Sequence, residues 1–333
     1  MTGLRRPKAL LAHYGPGLHF FGDRDLAALS EVVEVLDPEA IGAWDDARAA
    51  ALLAEAEVII GHWGCPPLDG DVLDRAPNLG LFAYAAGTVK QIVAPEVFDR
   101  IRVTSGARAN AEPVAEFTLG AVLLANKAVF WRRLGVGAGP PGPPPETLGN
   151  WGRTIGIVGA SLVGRRVIEL LEPFPALAVA LYDPFVTPAQ AEELGVAKLD
   201  LDELCSAADV LSIHAPELPA TRGMIGATQL AGLRDGATVI NTARGALVDH
   251  DALFAELASG RLTAILDVTD PEPLPDDHPL RALPNAYLTP HLAGSEGTEL
   301  ARMALDVAEE VRRWQAGRPA LNQVHAHQLD RLA

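Results

Sequence analysis

The stretch TIGIVGASLVGRRV at residues 154–167 constrains the fold of this chain more than any other. An apolar, β-branched run ends at Gly159, and a run with helical spacing follows that contains Gly164. The chain therefore passes from strand to helix through a turn too tight for most side chains. A strand-turn-helix unit of this kind is stable only inside a sheet covered by helices, and the remaining sequence supplies that sheet. Short apolar runs predict strands at 8–12, 32–36, 57–61, 79–83 and 101–104, with helices at 24–30, 46–55 and 69–75 between them. From Asn110 to about Leu134 the pattern predicts one long helix, apolar enough to be a connector buried between domains. The segment GVGAGPPGPPPETLGNWG at 135–152 is too rich in glycine and proline for helix or strand, and its PPGPPP reads as extended. A second strand-helix series places strands at 154–158, 178–182, 209–213, 237–241, 263–267 and 286–288. A final helix at 295–316 is long enough to return to the first domain.

Composition excludes several classes of function. With 333 residues, 49% of them hydrophobic, the chain is long enough for two domains with separate cores. A formal net charge of -16, with no long basic stripe, opposes binding to nucleic acid. The two cysteines, Cys65 and Cys205, stand far apart without a C-x-x-C neighbour, so neither a disulfide framework nor a zinc site is indicated, and no metal is expected. The basic start MTGLRRPKALLAHYGPGLHFF lacks a clear cleavage pattern, and no later run is long enough to span a membrane. The expectation is a cytoplasmic protein, and His325 and His327 near the end read as surface composition.

The glycine segment has a further implication. In a dinucleotide fold the first glycine makes the turn, the second admits backbone close to the pyrophosphate, and the third lets helix pack on sheet. Those places fall here on Gly159, Ser161 and Gly164, with Leu162 and Val163 opening the helix. Serine is small and its hydroxyl can donate to a phosphate oxygen, so the replaced middle glycine implies a modified site. Asp183 ends an apolar run 19 residues beyond Gly164, where a carboxylate accepts from adenine ribose hydroxyls. No Lys or Arg lies between Pro184 and Ala197, so a 2′-phosphate would meet negative charge, and NAD is expected over NADP.

Six segments, NAEPVAEFTLG, GIVGASLVGRRV, DVLSIHAPELPATRGMI, INTARGALVD, DVTDPEPLP and LTPHLAGS, occur in the order found in the D-isomer-specific 2-hydroxyacid dehydrogenases, and the chain resembles that family over roughly residues 55–325. The resemblance implies an NAD-dependent, usually dimeric enzyme, with a cleft between a small substrate domain and a larger cofactor domain. The expected fold class is α/β with two doubly wound parallel-sheet domains. A discontinuous, flavodoxin-like substrate domain would span 1–108 plus 296–333, and a Rossmann NAD-binding domain 109–295. The helix at 114–134 and the Gly/Pro loop would contribute to a homodimer. On this reading the appended regulatory domain of some phosphoglycerate dehydrogenases is not expected.

Three residues carry the expected chemistry. Arg244 presents planar, permanently charged donors that can hold a carboxylate and the adjacent oxo group in one orientation. Reduction at C2 builds negative charge on the oxygen, so a proton donor must stand within about 3 Å, and His291 is the candidate. Glu272 matches the family residue that holds its other nitrogen and favours the imidazolium. The resemblance also assigns Asp267 to the nicotinamide carboxamide, His214 and Pro216 to a loop along the cofactor, and Asn241, Thr242, Ala243 and Gly294 to the nicotinamide surroundings. In the first domain, AYAAGTVK resembles the loop whose N–H groups receive the substrate carboxylate, which puts Ala86, Gly87 and Thr88 beside the substrate. His62 and Trp63 would line its side-chain pocket, with Lys90 near by. The competing expectation is a non-catalytic, NAD(H)-sensing interaction module of the same fold. The intact Arg-Glu-His set favours the enzyme, acting on glyoxylate, hydroxypyruvate or a longer 2-oxo acid.

Overall fold

The computed structural model describes residues 5–13, 21–132 and 148–331. The chain forms two compact units, Met1–Asn110 with Ser295–Leu332, and Ala111–Gly294. In the first unit β1 (Lys8–Ala12), β2 (Glu34–Val35), β3 (Val58–Gly61), β4 (Leu81–Tyr84) and β5 (Arg102–Ser105) make a parallel sheet in the order β2-β1-β3-β4-β5. Beyond Lys8 at the start of β1, its inner strands are apolar because helices cover both faces. Leu10, Ile59, Phe82 and Val103 pack into one core, while Ala9, Leu11, Val58, Ile60 and Leu81 point into the other. The second face is closed by the helix Leu300–Gln315, which buries Met303, Ala304, Val307, Ala308 and Val311. Its Trp314 lies so close that a Cβ on Gly80 would meet the indole at 2.6 Å. The chain leaves this unit after Asn110 and re-enters at Ser295, whose amide donates to the Asn110 side chain at 2.9 Å.

The second unit holds β6 (Arg153–Val158), β7 (Leu177–Tyr182), β8 (Ala197–Lys198), β9 (Val210–Ile213), β10 (Thr238–Asn241), β11 (Thr263–Leu266) and β12 (Ala286–Leu288). All pair in parallel, in the order β12-β11-β10-β9-β6-β7-β8. One register row crosses six strands, through Tyr182, Val158, Ile213, Asn241, Leu266 and Leu288. The loops that leave this row at the carboxyl edge carry nearly every residue singled out by sequence. The edge strand β8 is two exposed residues and has no apolar pattern to announce it.

The long helix expected from Asn110 to Leu134 is corrected. It runs from Ala107 to Ala125, breaks, and resumes over Val129–Arg132. The break sits at Ala128, whose φ of 54° is left-handed. Asn126 stabilises it, its carbonyl accepting from the Gly149 amide at 2.7 Å and its side chain donating to that of Asn150 at 2.9 Å. The PPGPPP stretch, and with it most of the expected dimer loop, lies outside the described residues. Among the described residues no helix is long and apolar enough to cross a membrane.

Two carboxylates tie the last segment of the first unit to the helix Leu300–Gln315. Glu310 accepts the amides of Leu321 (2.9 Å) and Asn322 (2.7 Å), and the Asn322 side chain donates to Asp306 at 3.0 Å. Burial, reinforced by the charge of Glu310, raises the Asp306 carboxyl above its ordinary value. A raised carboxyl means that the ionised form costs stability at neutral pH, and that the cost disappears as the pH falls and the folded protein takes up the proton. Asp306→Asn keeps an acceptor for Asn322 and removes the charge. Its melting temperature at about pH 7 is therefore expected to exceed wild type by roughly 2 °C, with the gap closing toward about pH 4. Thermal melts across that range check the sign.

Candidate active site

The cofactor turn follows from where β6 ends. β6 has β7 on one side and β9 on the other, so the loops leaving β6 and β9 diverge, which is where open parallel sheets bind ligands. Gly159 stands there with a φ of 96°, and a Cβ on it would lie 2.7 Å from the Ala215 amide nitrogen. A Cβ on Gly164 would come within 2.0 Å of the Gly159 carbonyl oxygen. Both positions therefore exclude a side chain. Ser161 caps the helix Leu162–Leu171 by accepting from the Gly164 amide at 3.3 Å. Its hydroxyl proton remains available to donate, and the amides of Leu162 and Val163 lie in the open first turn. Asp183 accepts from the Ala160 amide at 2.8 Å with one oxygen and from the Phe185 amide at 2.7 Å with the other, which locks the acidic side chain against the turn. A bare-backbone cradle at a helix N-terminus, with a carboxylate fixed at its side, fits a dinucleotide's pyrophosphate and ribose.

His214 turns inward. Its ring is buried and paired with the Ser212 hydroxyl at 2.9 Å, and burial pushes the imidazole down to about 3, so it is neutral. What it presents to the turn is backbone, since its carbonyl carbon is 3.0 Å from where a Gly159 Cβ would be. The Pro216 carbonyl accepts from the Thr221 hydroxyl at 2.6 Å, which closes the loop after β9.

The loop after β10 is shaped by Asn241. Its buried amide donates to the Arg244 carbonyl (2.8 Å) and accepts from the Ala243 amide (3.0 Å), while Thr242 meets Thr118 hydroxyl to hydroxyl at 3.2 Å. The Arg244 guanidinium donates to the Ala243 carbonyl at 2.6 Å. The next residue lies flat on the segment leaving β11, because a Cβ on Gly245 would sit 2.0 Å from the Thr269 carbonyl carbon.

Asp267 organises the loop after β12. It is 2% exposed, yet its carboxylate accepts from the Thr289 hydroxyl (2.6 Å) and from the amides of Leu292 (2.8 Å) and Ala293 (3.0 Å). Its own carbonyl takes the His291 amide at 3.0 Å. His291 is thereby held at a φ of 55°, a left-handed conformation uncommon outside glycine that histidine is among the few residues to tolerate. Its Nδ1 lies 2.5 Å from Glu272 Oε1, leaving Nε2 as the ring's other polar atom. Both side chains are part-exposed and line a cavity of about 350 Å³ with Asp267, Leu274, Arg281 and Thr289. The structure thus brings Glu272, His291 and Asp267 to one cavity. Arg244 is not in its wall and stands in the adjoining loop. Gly294 ends the segment, at the unit boundary.

In the first unit, Ala86, Gly87 and Thr88 follow β4 at its carboxyl edge. The Ser105 hydroxyl binds the carbonyls of Ala86 (3.4 Å) and Gly87, so the loop's carbonyls are turned to Ser105. The Lys90 amide donates to the Thr88 hydroxyl at 3.2 Å. His62 does not line an open pocket. It is fully buried, edge-on to Phe21 and Trp63, and burial lowers its imidazole to about 3. Trp63 is half-buried against both cores of this unit. Sequence reasoning missed Thr289, which joins the Asp267 cluster.

The family description "D-isomer specific 2-hydroxyacid dehydrogenase, NAD binding domain" matches residues 143–293. D-3-phosphoglycerate dehydrogenase of Mycobacterium tuberculosis is 32% identical over 304 residues, covering 88% of this chain and 55% of that protein. Glyoxylate reductase of Korarchaeum cryptofilum is 33% identical over 258 residues, covering 75% and 77% of the two chains. The crystal structure of the TT0316 protein from Thermus thermophilus superposes with a TM-score of 0.71 at 33% identity, over 95% of this chain and 99% of that one. The chain spans 55% of the length of the mycobacterial phosphoglycerate dehydrogenases it matches.

The cradle makes a graded prediction. Ser161→Ala removes a helix cap and is expected to cost about 1 kcal/mol. Gly164→Ala forces a methyl onto backbone and is expected to cost about 3 kcal/mol. Denaturant titration of both variants checks the order, which reverses if the cradle is built otherwise.

Proposed function

Because this chain belongs to the D-isomer specific 2-hydroxyacid dehydrogenases, we propose that it transfers a hydride between a nicotinamide cofactor and C2 of a small 2-oxo or 2-hydroxy acid of the D series. The observation that carries this reading is the His291–Glu272 hydrogen bond of 2.5 Å, at the rim of a cavity on the carboxyl edge of the sheet. In the reductive direction His291 delivers a proton from Nε2 to the carbonyl oxygen, and in the oxidative direction it takes the proton back. Glu272 fixes the ring and stabilises the positive charge it carries before the proton leaves. Arg244 has one N–H committed to the Ala243 carbonyl, and the rest of its fork holds the substrate's carboxylate and oxo oxygens. By the family resemblance alone, the amides of the Ala86–Thr88 loop are also donors for a substrate carboxylate.

When bound, the cofactor supplies the hydride in reduction. Gly159, Gly164 and the amides of Leu162 and Val163 hold its pyrophosphate, joined by the Ser161 hydroxyl as donor. Asp183 takes the ribose hydroxyls and, with no cation in residues 184–197, favours NAD over NADP. Asn241, Thr242, Ala243 and Gly294 border the nicotinamide, with His214 and Pro216 contributing backbone beside the turn. Asp267 has two tasks in this reading, holding the His291 segment and facing the carboxamide. Glyoxylate, hydroxypyruvate and longer 2-oxo acids are the substrate class. A homodimer in the cytoplasm belongs to the same proposal, and light scattering tests the dimer.

NADH oxidation against a panel of 2-oxo acids is the direct test, and silence on all of them despite tight NADH binding refutes it. His291→Ala is expected to lower kcat by about 10² to 10⁴ without loss of folding. Arg244→Ala is expected to remove most activity while the Kd for NADH stays put. Glu272→Gln is expected to move the pH profile of kcat to lower pH, and an unmoved profile removes Glu272 from the acid-base role. Asp183→Ala is expected to raise the KM for NAD and relax discrimination against NADP.

A further inference from the structure

One side chain outside the expected set touches the loop that carries Glu272. His250 is the first residue of the helix His250–Ala258, directly after the cap Asp249. Its Nδ1 lies 3.1 Å from the Val248 carbonyl, which can only accept, so Nδ1 carries the proton. The Asp270 amide then donates to the bare Nε2 at 3.3 Å. The same peptide also packs against Gly245, where a Cβ would lie 2.5 Å from the Asp270 nitrogen. Asp270 is two residues before Glu272, and the Thr269 hydroxyl closes the intervening turn onto the Pro271 carbonyl at 2.8 Å. On its outer side the Asp270 carboxylate pairs with Arg222 at 3.2 Å.

We propose that His250 is a positioning residue for the acid-base pair, its Nε2 holding the Asp270 amide and, through it, the turn that presents Glu272 to His291. The inference rests on the functional reading above. It ties the Arg244 loop to the Glu272 loop through one backbone amide, so that the carboxylate-binding group and the histidine's partner share a frame. The contact needs a neutral imidazole, because a second ring proton would face the Asp270 N–H. The surroundings supply that state. Burial lowers the His250 imidazole and His278 adds to the lowering, against the Val248 carbonyl and the carboxylates of Asp270 and Asp249, which pull the other way. The helix N-terminus likewise disfavours a positive charge there.

His250→Phe keeps bulk and removes the acceptor, whereas His250→Gln restores an acceptor at similar reach. Amide hydrogen exchange over residues 268–274, read by mass spectrometry, is expected to quicken about tenfold in the phenylalanine variant and to return near wild type in the glutamine variant. In turnover, His250→Phe is expected to lower kcat about tenfold and shift its pH profile, with the KM for NADH within about twofold and recovery in His250→Gln. Wild-type exchange or a wild-type pH profile in His250→Phe overturns the proposal, as does equal loosening in both variants. A wild type silent toward every 2-oxo acid overturns the functional reading instead, and the exchange result alone then decides the role of His250.

Discussion

The second unit depends on one buried carboxylate. Asp267 stands at the end of β11, almost without access to water, where an unpaired charge would cost several kcal/mol. Three donors from the loop after β12 offset that cost, and all three come from the few residues around His291. A charge-assisted set of this kind is both strong and directional, and it ties the loop to the end of β11. The left-handed backbone of His291 is its visible result. Glu272 then acts on a ring whose position is already decided.

The glycine turn works by a different principle. Asp267 gathers donors, whereas Gly159 and Gly164 remove atoms, and each lies against backbone that a methyl group would strike. Ser161 stands where a dinucleotide fold ordinarily has its middle glycine. It reconciles the two demands by spending its oxygen lone pair on the helix and keeping its proton. Asp183, by binding the Ala160 amide, braces the same turn from β7. The cradle is thus held by side chains that also carry the proposed recognition.

Much of this was legible in the residues themselves. Strand positions came from continuous apolar runs, which a parallel sheet buried on both faces requires, and most of the loops of interest follow such a run directly, which puts them at the carboxyl edge. The break at Ala128 was not legible, since alanine is a strong helix former and its left-handed φ is imposed by Asn126 and Asn150, 24 residues apart. Nor was the inward turn of His62, because a histidine after a strand reads the same whether it faces a pocket or a core. The partners of Asp267 were hidden for a similar reason. Leu292 and Ala293 contribute only their amides, which no side-chain pattern reports.

The return of the chain at Ser295 has a consequence for biosynthesis. Residues 111–294 contain a whole sheet and its covering helices, so this unit has everything it needs before the ribosome reaches Ser295. The earlier unit does not, because one face of its sheet, covered in part by Leu29 and Val32, stays incomplete until the helix Leu300–Gln315 has been made and Met303, Val307 and Val311 can join Leu11, Val58 and Ile60. Translation begins one body and completes the other first, and in the interval an apolar surface awaits its lid, exposed to chaperones and to neighbouring chains.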